Sequence, residues 1–258
     1  MIRRVYGICF LCILFVFACN GCTSARVEDI PPKEAEVEEN SNPNVATYTN
    51  DKPNIDGKID ECWSKVRKLQ VNNHYLQIED SKKAQNTGYV SVMWDEQNLY
   101  LLGVVQDADV TKLDRINFWI SETFIESSEG FKYPFSANPK YGMYYTCINP
   151  DGELFLYSST EGRPVDFSKI EGYQCKGSTS EDGYIVEVLI PKQSDAIWKE
   201  GHVLGFDVSI DTYYTGETLR GKWPTEEDGE YHELYCNWNG AGAYWEDASQ
   251  LGKLEFIK

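Results

Sequence analysis

Two apolar segments joined by a short polar turn, within residues 89–109, most strongly constrain what this chain can fold into. In the first segment Val90, Val92 and Trp94 alternate with other residues, which is the two-residue period of a β-strand. After the polar sequence DEQN, Leu99–Val105 is largely apolar on both faces, a pattern typical of a strand buried on both sides. The sequence therefore predicts a β-hairpin and places the Trp94 indole in the core.

Seven further segments show strand patterns and are separated by turn signals such as NPDG, EDG and NGAG. A helix signal is confined to a short turn around Asp60–Lys68. Many short strands with Gly-rich turns predict an all-β fold, a single antiparallel, jelly-roll-like β-sandwich formed by residues 45–258. The predicted strands are Arg115–Ser121, Met143–Asn149, Glu153–Tyr157, Tyr184–Ile190, Val203–Asp211, Glu233–Trp238 and Lys253–Ile257.

Residues 1–18 have the composition of a lipoprotein signal peptide. Arg3 and Arg4 precede an apolar segment that is too short for a comfortable bilayer span. The sequence VFAC then resembles a bacterial lipobox, which predicts lipidation of Cys19 after cleavage. An uncleaved anchor helix and lipidation at Cys22 stay open as alternatives. The favoured prediction is an exported protein that is lipid-anchored in the bacterial cell envelope, with the cell surface as one location.

Residues 19–44 are predicted to form an acidic, disordered tether, because they contain scarcely any large apolar residue and so cannot offset the cost of ordering the chain. The formal net charge of the whole chain is -17. A charge of that sign repels phosphate backbones, so we expect no nucleic-acid partner. Attachment to a membrane would depend on the lipid anchor rather than on attraction to anionic lipid.

Four cysteines lie within the predicted sandwich, where an exported chain can oxidise them. Four cysteines allow three pairings, and the sequence does not choose among them. The absence of any CxxC spacing argues against a zinc site, and buried or disulfide-bonded cysteines are favoured over a catalytic thiol. These cysteines are Cys62, Cys147, Cys175 and Cys236.

Several segments occur in an order that resembles the family 9 carbohydrate-binding module. They include NIDGKIDECWSKV (54–66), the hairpin at 89–109, DRINFWIS (114–121), DGYIVEVLIPK (182–192), LGFDVSIDT (204–212) and WEDASQLGKLEF (245–256). The resemblance covers nearly all of residues 45–258. It implies a β-sandwich that binds an oligosaccharide or polysaccharide without catalysing a reaction.

The resemblance also implies a pair of Trp side chains that sandwich one sugar ring. Trp245, in the Gly-rich loop before the last strand, matches one of them, since a flat indole stacks on the C–H face of a pyranose. The loop before DRINFWIS, where the family has its second Trp, reads DADVTKL, and Asn117 stands where the family has Glu. Asn retains donors and an acceptor for hydroxyls but cannot form a charge-assisted bond.

Alternation along DRINFWIS separates a core face from a polar face. The core face holds Ile116, Phe118 and Ile120. The polar face holds Arg115, Asn117 and Trp119, and we predict that Trp119 partly replaces the missing stacking residue while Arg115 and Asn117 bond sugar hydroxyls. The alternative is an outer strand face covered by another loop, with Arg115 lying over Trp119.

The strand MYYTCIN adds two predicted carbohydrate-binding residues, Tyr144 and Thr146, because its alignment with the family directs both at the same site. Trp238 is a further candidate, although its place at a strand end favours core packing. Structural calcium is possible by resemblance, with Asp60, Asp107 and Asp109 near strand ends. Surface acids are the better default in so acidic a chain, so no metal is assigned.

Three competing functions are weighed against carbohydrate binding. A structural or partner-binding lipoprotein, on the same sandwich with the sugar site lost, is the main alternative. A glycan-cleaving enzyme would need two carboxylates at a defined separation across a cleft, which short loops do not favour. An electron-transfer module would need haem ligands. The candidates for that last role are Met93, Met143, His74, His202 and His232.

Overall fold

The computed structural model describes residues 44–74, 86–122, 124, 143–154, 170–192, 196–214, 232–239 and 250–258. All of them belong to one compact unit of the chain, residues 40–258. The predicted signal peptide, the tether up to residue 43, Cys19 and Trp245 lie outside the described residues, so the expectations attached to them stay predictions.

Twelve strands and one 3-10 helix, Glu61–Lys65, make up the regular structure of the described residues. No helix in this part of the chain is long and apolar enough to cross a membrane. The strands are β1 (Val45–Tyr48), β2 (Leu69–Val71), β3 (Asn73–His74), β4 (Thr87–Trp94), β5 (Asn98–Gln106), β6 (Arg115–Ser121), β7 (Met143–Ile148), β8 (Gln174–Ser180), β9 (Gly183–Pro191), β10 (Val203–Tyr214), β11 (His232–Asn237) and β12 (Gly252–Ile257).

The strands hydrogen-bond in the order β3-β11-β10-β12-β1-β4-β5-β9-β8, with β2 added to β4, and with β6 added to β10 and β7 to β6. The pairs are antiparallel except those of β1, which runs parallel to both β12 and β4. The predicted purely antiparallel arrangement is therefore wrong at β1. A parallel pair needs a long crossover connection, and residues 49–86 provide it between β1 and β4.

The sheet curls so that β5 faces β6 across the core. A Cβ on Gly103 of β5 would lie 2.5 Å from Cδ1 of Ile116 on β6, so these two strands pack closely only because residue 103 has no side chain. Trp94, at the end of β4, is 1% exposed and stacks on Phe256 of β12 with ring centroids 4.7 Å apart. The predicted hairpin and the core position of Trp94 are confirmed.

The opposite face of β4 and β5 carries a second apolar cluster, which includes Trp63 of the 3-10 helix together with Met93, Tyr100 and Leu102. Strand β5 is therefore buried on both faces, as predicted. Glu187 of β9 holds the turn that precedes the 3-10 helix against this face. Its carboxylate accepts hydrogen bonds from the backbone N–H of Gly57 at 2.9 Å and from the Trp63 indole N–H at 3.3 Å.

The other predicted strands are confirmed with differences of at most three residues at their ends, apart from Glu153–Tyr157. That segment shows one bridge, between Leu154 and Ile148, and its last three residues lie outside the described part. Sequence patterns missed β1, β2, β3 and β8. The first three have two to four residues, and β8 is a polar edge strand, QCKGSTS, with no alternating apolar face.

None of the four described cysteines of the sandwich forms a disulfide bond. Cys147 and Cys236 are buried, and Cys62 and Cys175 are half-buried. Burial raises the pKa of the Cys236 thiol, and that of the Cys175 thiol, to about 12. Because the thiolate is the nucleophile, these two side chains are unreactive. Cys236 instead donates to the backbone carbonyl of Asn86 at 3.3 Å.

Candidate functional site

The candidate site is the polar face of β6, which is extended by β10. Residues directly opposite each other on antiparallel strands share a face of the sheet. Three such pairs form the face. On the other face of β6 the side chains of Ile116, Phe118 and Ile120 are at most 3% exposed, so the predicted alternation is confirmed. The pairs of the polar face are Arg115 with Asp211, Asn117 with Ser209, and Trp119 with Asp207.

Asp211 is the centre of a buried hydrogen-bond network on this face. Its Oδ2 atom accepts from Nε of Arg115 at 2.7 Å and from Nδ2 of Asn117 at 2.8 Å. Nδ2 of Asn117 also donates to the Ser209 hydroxyl at 2.9 Å, and that hydroxyl donates to Oδ1 of Asp211 at 3.1 Å. All four residues are buried, so the carboxylate charge is matched by one guanidinium and by hydrogen bonds from Asn117 and Ser209.

This network changes the role expected for Asn117 and Arg115. An amide NH2 group has two hydrogens, and Asn117 uses both inside the protein. Without a ligand both donor hydrogens of Asn117 are therefore used within the protein, and its predicted contact with sugar hydroxyls stays a prediction. Arg115 is 4% exposed and paired with Asp211, so it holds the Asp211 carboxylate in place on this face. Local sequence patterns could not identify Asp211 as the partner of these two residues, because Asp211 lies 96 positions from Arg115.

Trp119 differs from the rest of its strand. It is half-buried, whereas the other six residues of β6 are buried. The residue is therefore partly accessible, on a strand that is braced on one side by β10 and on the other by β7. A rigidly placed, partly exposed indole is suited to apolar stacking against a flat ligand face. This placement is suited to the predicted stacking role of Trp119, which stays a prediction.

The residues predicted on β7 belong to the opposite face. The pairing register sets Thr146 opposite Phe118, and Tyr144 opposite Ile120, so both positions share a face with core residues. Thr146 is 2% exposed, and its hydroxyl lies 3.4 Å from that of Tyr173. The prediction that Thr146 points at the site is therefore wrong, because a one-residue difference in register exchanges the two faces of a strand. The side chain of Tyr144 lies outside the described part, so its predicted role stays a prediction.

Asp207 is a member of the face that sequence reasoning missed. It is fully buried, and its Oδ1 atom accepts hydrogen bonds from its neighbour Val208 N–H at 2.7 Å and from Asn239 N–H at 3.2 Å. Burial raises the pKa of Asp207 to about 7, against the lowering effect of backbone N–H groups that include that of Trp238. Asp207 thus connects the face to the turn at which the NGAG sequence begins.

Trp238 is part of the packed interior rather than of the polar face. Its ring lies 5.7 Å from that of Phe206, and it packs against the main apolar cluster as a half-buried side chain. The expectation that Trp238 favours core packing is confirmed. Met93, one of the haem-ligand candidates, is likewise a packed core residue at 1% exposure.

The three acids considered for calcium do not form one group. Asp60 accepts a hydrogen bond from the backbone N–H of Asn54 at 2.6 Å, in the turn before the 3-10 helix. Asp107 accepts from the N–H of Asp109 at 2.8 Å, in the turn after β5. Within the described ranges no three His, Cys, Asp or Glu side chains are grouped so as to hold a metal ion. These residues do not fit a shared metal site.

A curled, mainly antiparallel sheet folded around an apolar core places this protein in the class of β-sandwich domains. Residues 55–258 match the family described as carbohydrate family 9 binding domain-like, and the chain belongs to that family. The family resemblance predicted from the sequence is therefore confirmed.

Two solved structures share the fold. The first is a carbohydrate binding module of family 9 from Caldicellulosiruptor kristjanssonii in complex with cellotriose, with a TM-score of 0.58, 18% sequence identity, and coverage of 83% of this chain and 93% of that one. The second is the same module in complex with glucose, with a TM-score of 0.57, 18% identity, and coverage of 81% and 94%.

Among curated relatives, exoglucanase XynX of Acetivibrio thermocellus is 27% identical over 213 residues. That match covers 81% of this chain but 17% of the relative. The chain therefore corresponds to a small part of a much longer enzyme.

Proposed function

We propose that this protein binds carbohydrate without catalysing a reaction, through an indole stacked on a sugar ring beside polar groups that meet its hydroxyls. The observation that carries the proposal is the placement of Trp119. This half-buried residue lies on a strand where the side chains of Arg115 and Asn117 are held by hydrogen bonds to Asp211. Membership of the family supports it. Stacking on the C–H face of a pyranose uses the apolar burial that makes Trp effective at wet interfaces.

Trp245 is the proposed second aromatic residue. It lies between Asn239 and Gln250, whose contacts are described, and Nδ2 of Asn239 donates to the Gln250 carbonyl at 2.7 Å. The backbone N–H of Asn239 is bonded to Asp207, which is paired with Trp119 across β10 and β6. The described residues on either side of the segment that carries Trp245 are thus bonded to each other and, through Asn239, to Asp207, which supports the proposal of a shared site.

The proposed ligands are neutral oligosaccharides or polysaccharides, with glucose-based and xylose-based chains first. Solved modules with this fold are complexes with cellotriose and glucose, and curated relatives include xylanases and an exoglucanase. We further propose that the domain is exported as a lipoprotein, with Cys19 lipidated and residues 19–44 serving as a tether to the bacterial cell envelope. The jelly-roll connectivity of a single sandwich is part of the same proposal.

Calorimetric titration of the purified protein with cello-, xylo-, manno- and galacto-oligosaccharides tests the function. We expect saturable heat with one series and at least a tenfold loss of affinity in Trp119→Ala and in Trp245→Ala. Tyr89→Ala is the matched control, since Tyr89 is a half-buried aromatic residue on β4. Loss of affinity in the control as well would argue against a site at Trp119.

A second function is favoured by one observation. Asn117 donates both of its side-chain hydrogens to groups of the protein, so this face offers fewer partners for sugar hydroxyls than the sequence predicted. A structural or partner-binding lipoprotein on the same sandwich is compatible with that arrangement. Absence of heat with all four sugar series, in a protein shown to be folded by its unfolding transition, would support this second function.

A further inference from the structure

A small surface cavity lies next to the start of β6, where three segments that are distant in the sequence meet. Its volume is about 200 Å³. Its walls are the loop between β5 and β6, the turn that follows β7, and the end of β8. This volume is below the range of about 300–1,000 Å³ that is typical of sites for drug-sized ligands, so the cavity has room for one small molecule.

The loop between β5 and β6 is fixed by Asp114. The Asp114 carboxylate accepts hydrogen bonds from the backbone N–H of Thr111 and, at 2.9 Å, from the Thr111 hydroxyl. The same hydroxyl accepts from the N–H of Leu113 at 3.2 Å. Thr111 and Asp114 are both buried. This wall therefore keeps its shape through internal bonds, and it presents Val110 and Lys112 to the cavity.

The turn after β7 is held against β8 by two glycines. A Cβ on Gly152 would lie 2.1 Å from the backbone N of Gly177, and a Cβ on Gly177 would lie 2.3 Å from the carbonyl O of Pro150. The turn and the strand approach this closely only because neither position has a side chain. Asn149 closes the turn, since its Oδ1 atom accepts from the N–H of Asp151 at 3.1 Å. The other two walls are therefore also fixed by contacts within the protein.

The lining of the cavity combines two opposite charges with a hydroxyl group. The Lys112 ammonium and the Asp151 carboxylate both line it, and in the described part of the chain neither group forms a hydrogen bond or an ion pair. Thr179 of β8 adds an exposed hydroxyl. A charged donor and a charged acceptor form stronger hydrogen bonds than neutral groups do, and here both are available to a ligand.

We propose that this cavity is a second carbohydrate subsite that holds one neutral sugar unit, with Asp151 accepting from its hydroxyls, Lys112 donating to them, and its C–H groups lying against Val110 and Pro150. The inference rests on the proposed function. Each sugar hydroxyl is both a donor and an acceptor, which matches a lining that contains both kinds of group. A neutral sugar is favoured over an acidic one, because the net charge of -17 repels anionic ligands.

The cavity is separate from the polar face around Trp119. Trp119 lies four residues after Arg115, the first residue of β6, which at about 3.3 Å per residue is roughly 13 Å along the strand. The loop that lines the cavity precedes Arg115. Two such contacts on one domain can engage the same polysaccharide, so a weak second contact raises the overall avidity.

Amide chemical shifts of the full-length protein, labelled with ¹⁵N and titrated separately with glucose, xylose, cellotriose, xylotriose and glycine, test the proposal. The variants are Asp151→Ala, Lys112→Ala and Trp119→Ala. Glu171→Ala and Lys199→Ala are the matched controls, because both residues are exposed and precede β8 and β10, whereas the cavity lies at the end of β8. The unfolding midpoint of each variant is measured as well.

We expect saturable shifts of the Lys112, Thr179 and Ser180 amide signals with at least one of the four sugars. The affinity obtained from these signals should fall at least tenfold in Asp151→Ala and in Lys112→Ala. It should stay unchanged in Trp119→Ala and in both controls. The unfolding midpoint should not change in the two cavity variants, since neither side chain has a partner in the described part of the protein.

The outcomes separate failure of the subsite from failure of the proposed function. Shifts at Asn117 and Ser209 with none at the cavity overturn the subsite and leave the site at Trp119 intact. Shifts at the cavity alone support the subsite and refute the site at Trp119.

Three further results would overturn the subsite. The first is a set of cavity shifts whose affinity is unchanged in both Asp151→Ala and Lys112→Ala. The second is a response of the cavity to glycine but to no sugar, which would assign a zwitterionic ligand instead. The third is the absence of any shift with all four sugars, which would refute the proposed function as well.

Discussion

Nε of Arg115 lies 2.7 Å from Oδ2 of Asp211, and each of these residues is 4% exposed. The two residues are register partners on β6 and β10, so the antiparallel pairing itself brings the charges together. A buried pair of this kind is maintained by mutual attraction and by additional bonds, here those from Asn117 and Ser209 to the same carboxylate.

Asp211→Ala should lower the free energy of unfolding by about 3–5 kcal/mol, because it leaves the Arg115 guanidinium buried without its counterion. The double variant Arg115→Met with Asp211→Leu should lose clearly less, since no buried charge remains. Denaturant unfolding measures both. Glu181→Ala, an exposed acid in a turn, is the control and should stay within about 0.5 kcal/mol. A loss below about 1 kcal/mol for Asp211→Ala would show that the pair contributes little.

Gly103→Ala should destabilise the fold by about 1–3 kcal/mol, because its Cβ would lie 2.5 Å from Cδ1 of Ile116 across the core. Ile116→Val removes that methyl group. The loss caused by Gly103→Ala should therefore be smaller in the Ile116→Val background than in the unaltered protein, which a double-mutant cycle of unfolding free energies measures. Equal losses in both backgrounds would place the strain elsewhere.

The stability difference between the unaltered protein and Asp207→Asn should depend on pH. Burial raises the pKa of Asp207 in the folded state to about 7, from 3.8 in the unfolded chain, so the folded state binds this proton more tightly. The resulting stabilisation is fully present below pH ~4 and is lost as the pH rises through about 7. A three-unit shift corresponds to roughly 4 kcal/mol. Unfolding titrations at intervals from pH 4 to pH 8 measure the difference.

In the same titrations Asp182→Asn, an exposed residue of the β8–β9 turn, serves as the control. Its difference from the unaltered protein should change little over the range. If the Asp207→Asn difference is equally flat, the carboxyl group is not held in the desolvated environment described here.

Cys175 and Cys236 should resist alkylation by iodoacetamide at pH 8 in the folded protein, because burial raises the pKa of each thiol to about 12, with Cys236 buried and Cys175 half-buried. Both should react quickly after unfolding in denaturant. Peptide mapping by mass spectrometry follows the modification of each site, and non-reduced digests should contain no cross-linked pair among the four cysteines of the sandwich. A cross-link between any two would contradict the free thiols.

Local patterns were sufficient for much of the fold. The hairpin of β4 and β5, the burial of β5 on both faces, the core position of Trp94 and the alternation along β6 follow from side-chain periodicity, which is a property of a few consecutive residues. Short or polar strands were not found this way, because β1 has four residues and β8 has no alternating apolar face. The family was also identifiable from the order of its segments.

What the sequence by itself determined is therefore which side chains of one strand share a face. The tertiary structure decided which strands meet and in what register. The register sets Thr146 of β7 opposite Phe118 rather than Asn117, and it gives Arg115 a partner 96 positions away in Asp211. Alternation is enforced within a strand by backbone geometry, whereas register between distant strands depends on turns and core packing throughout the domain, so no local pattern contains it.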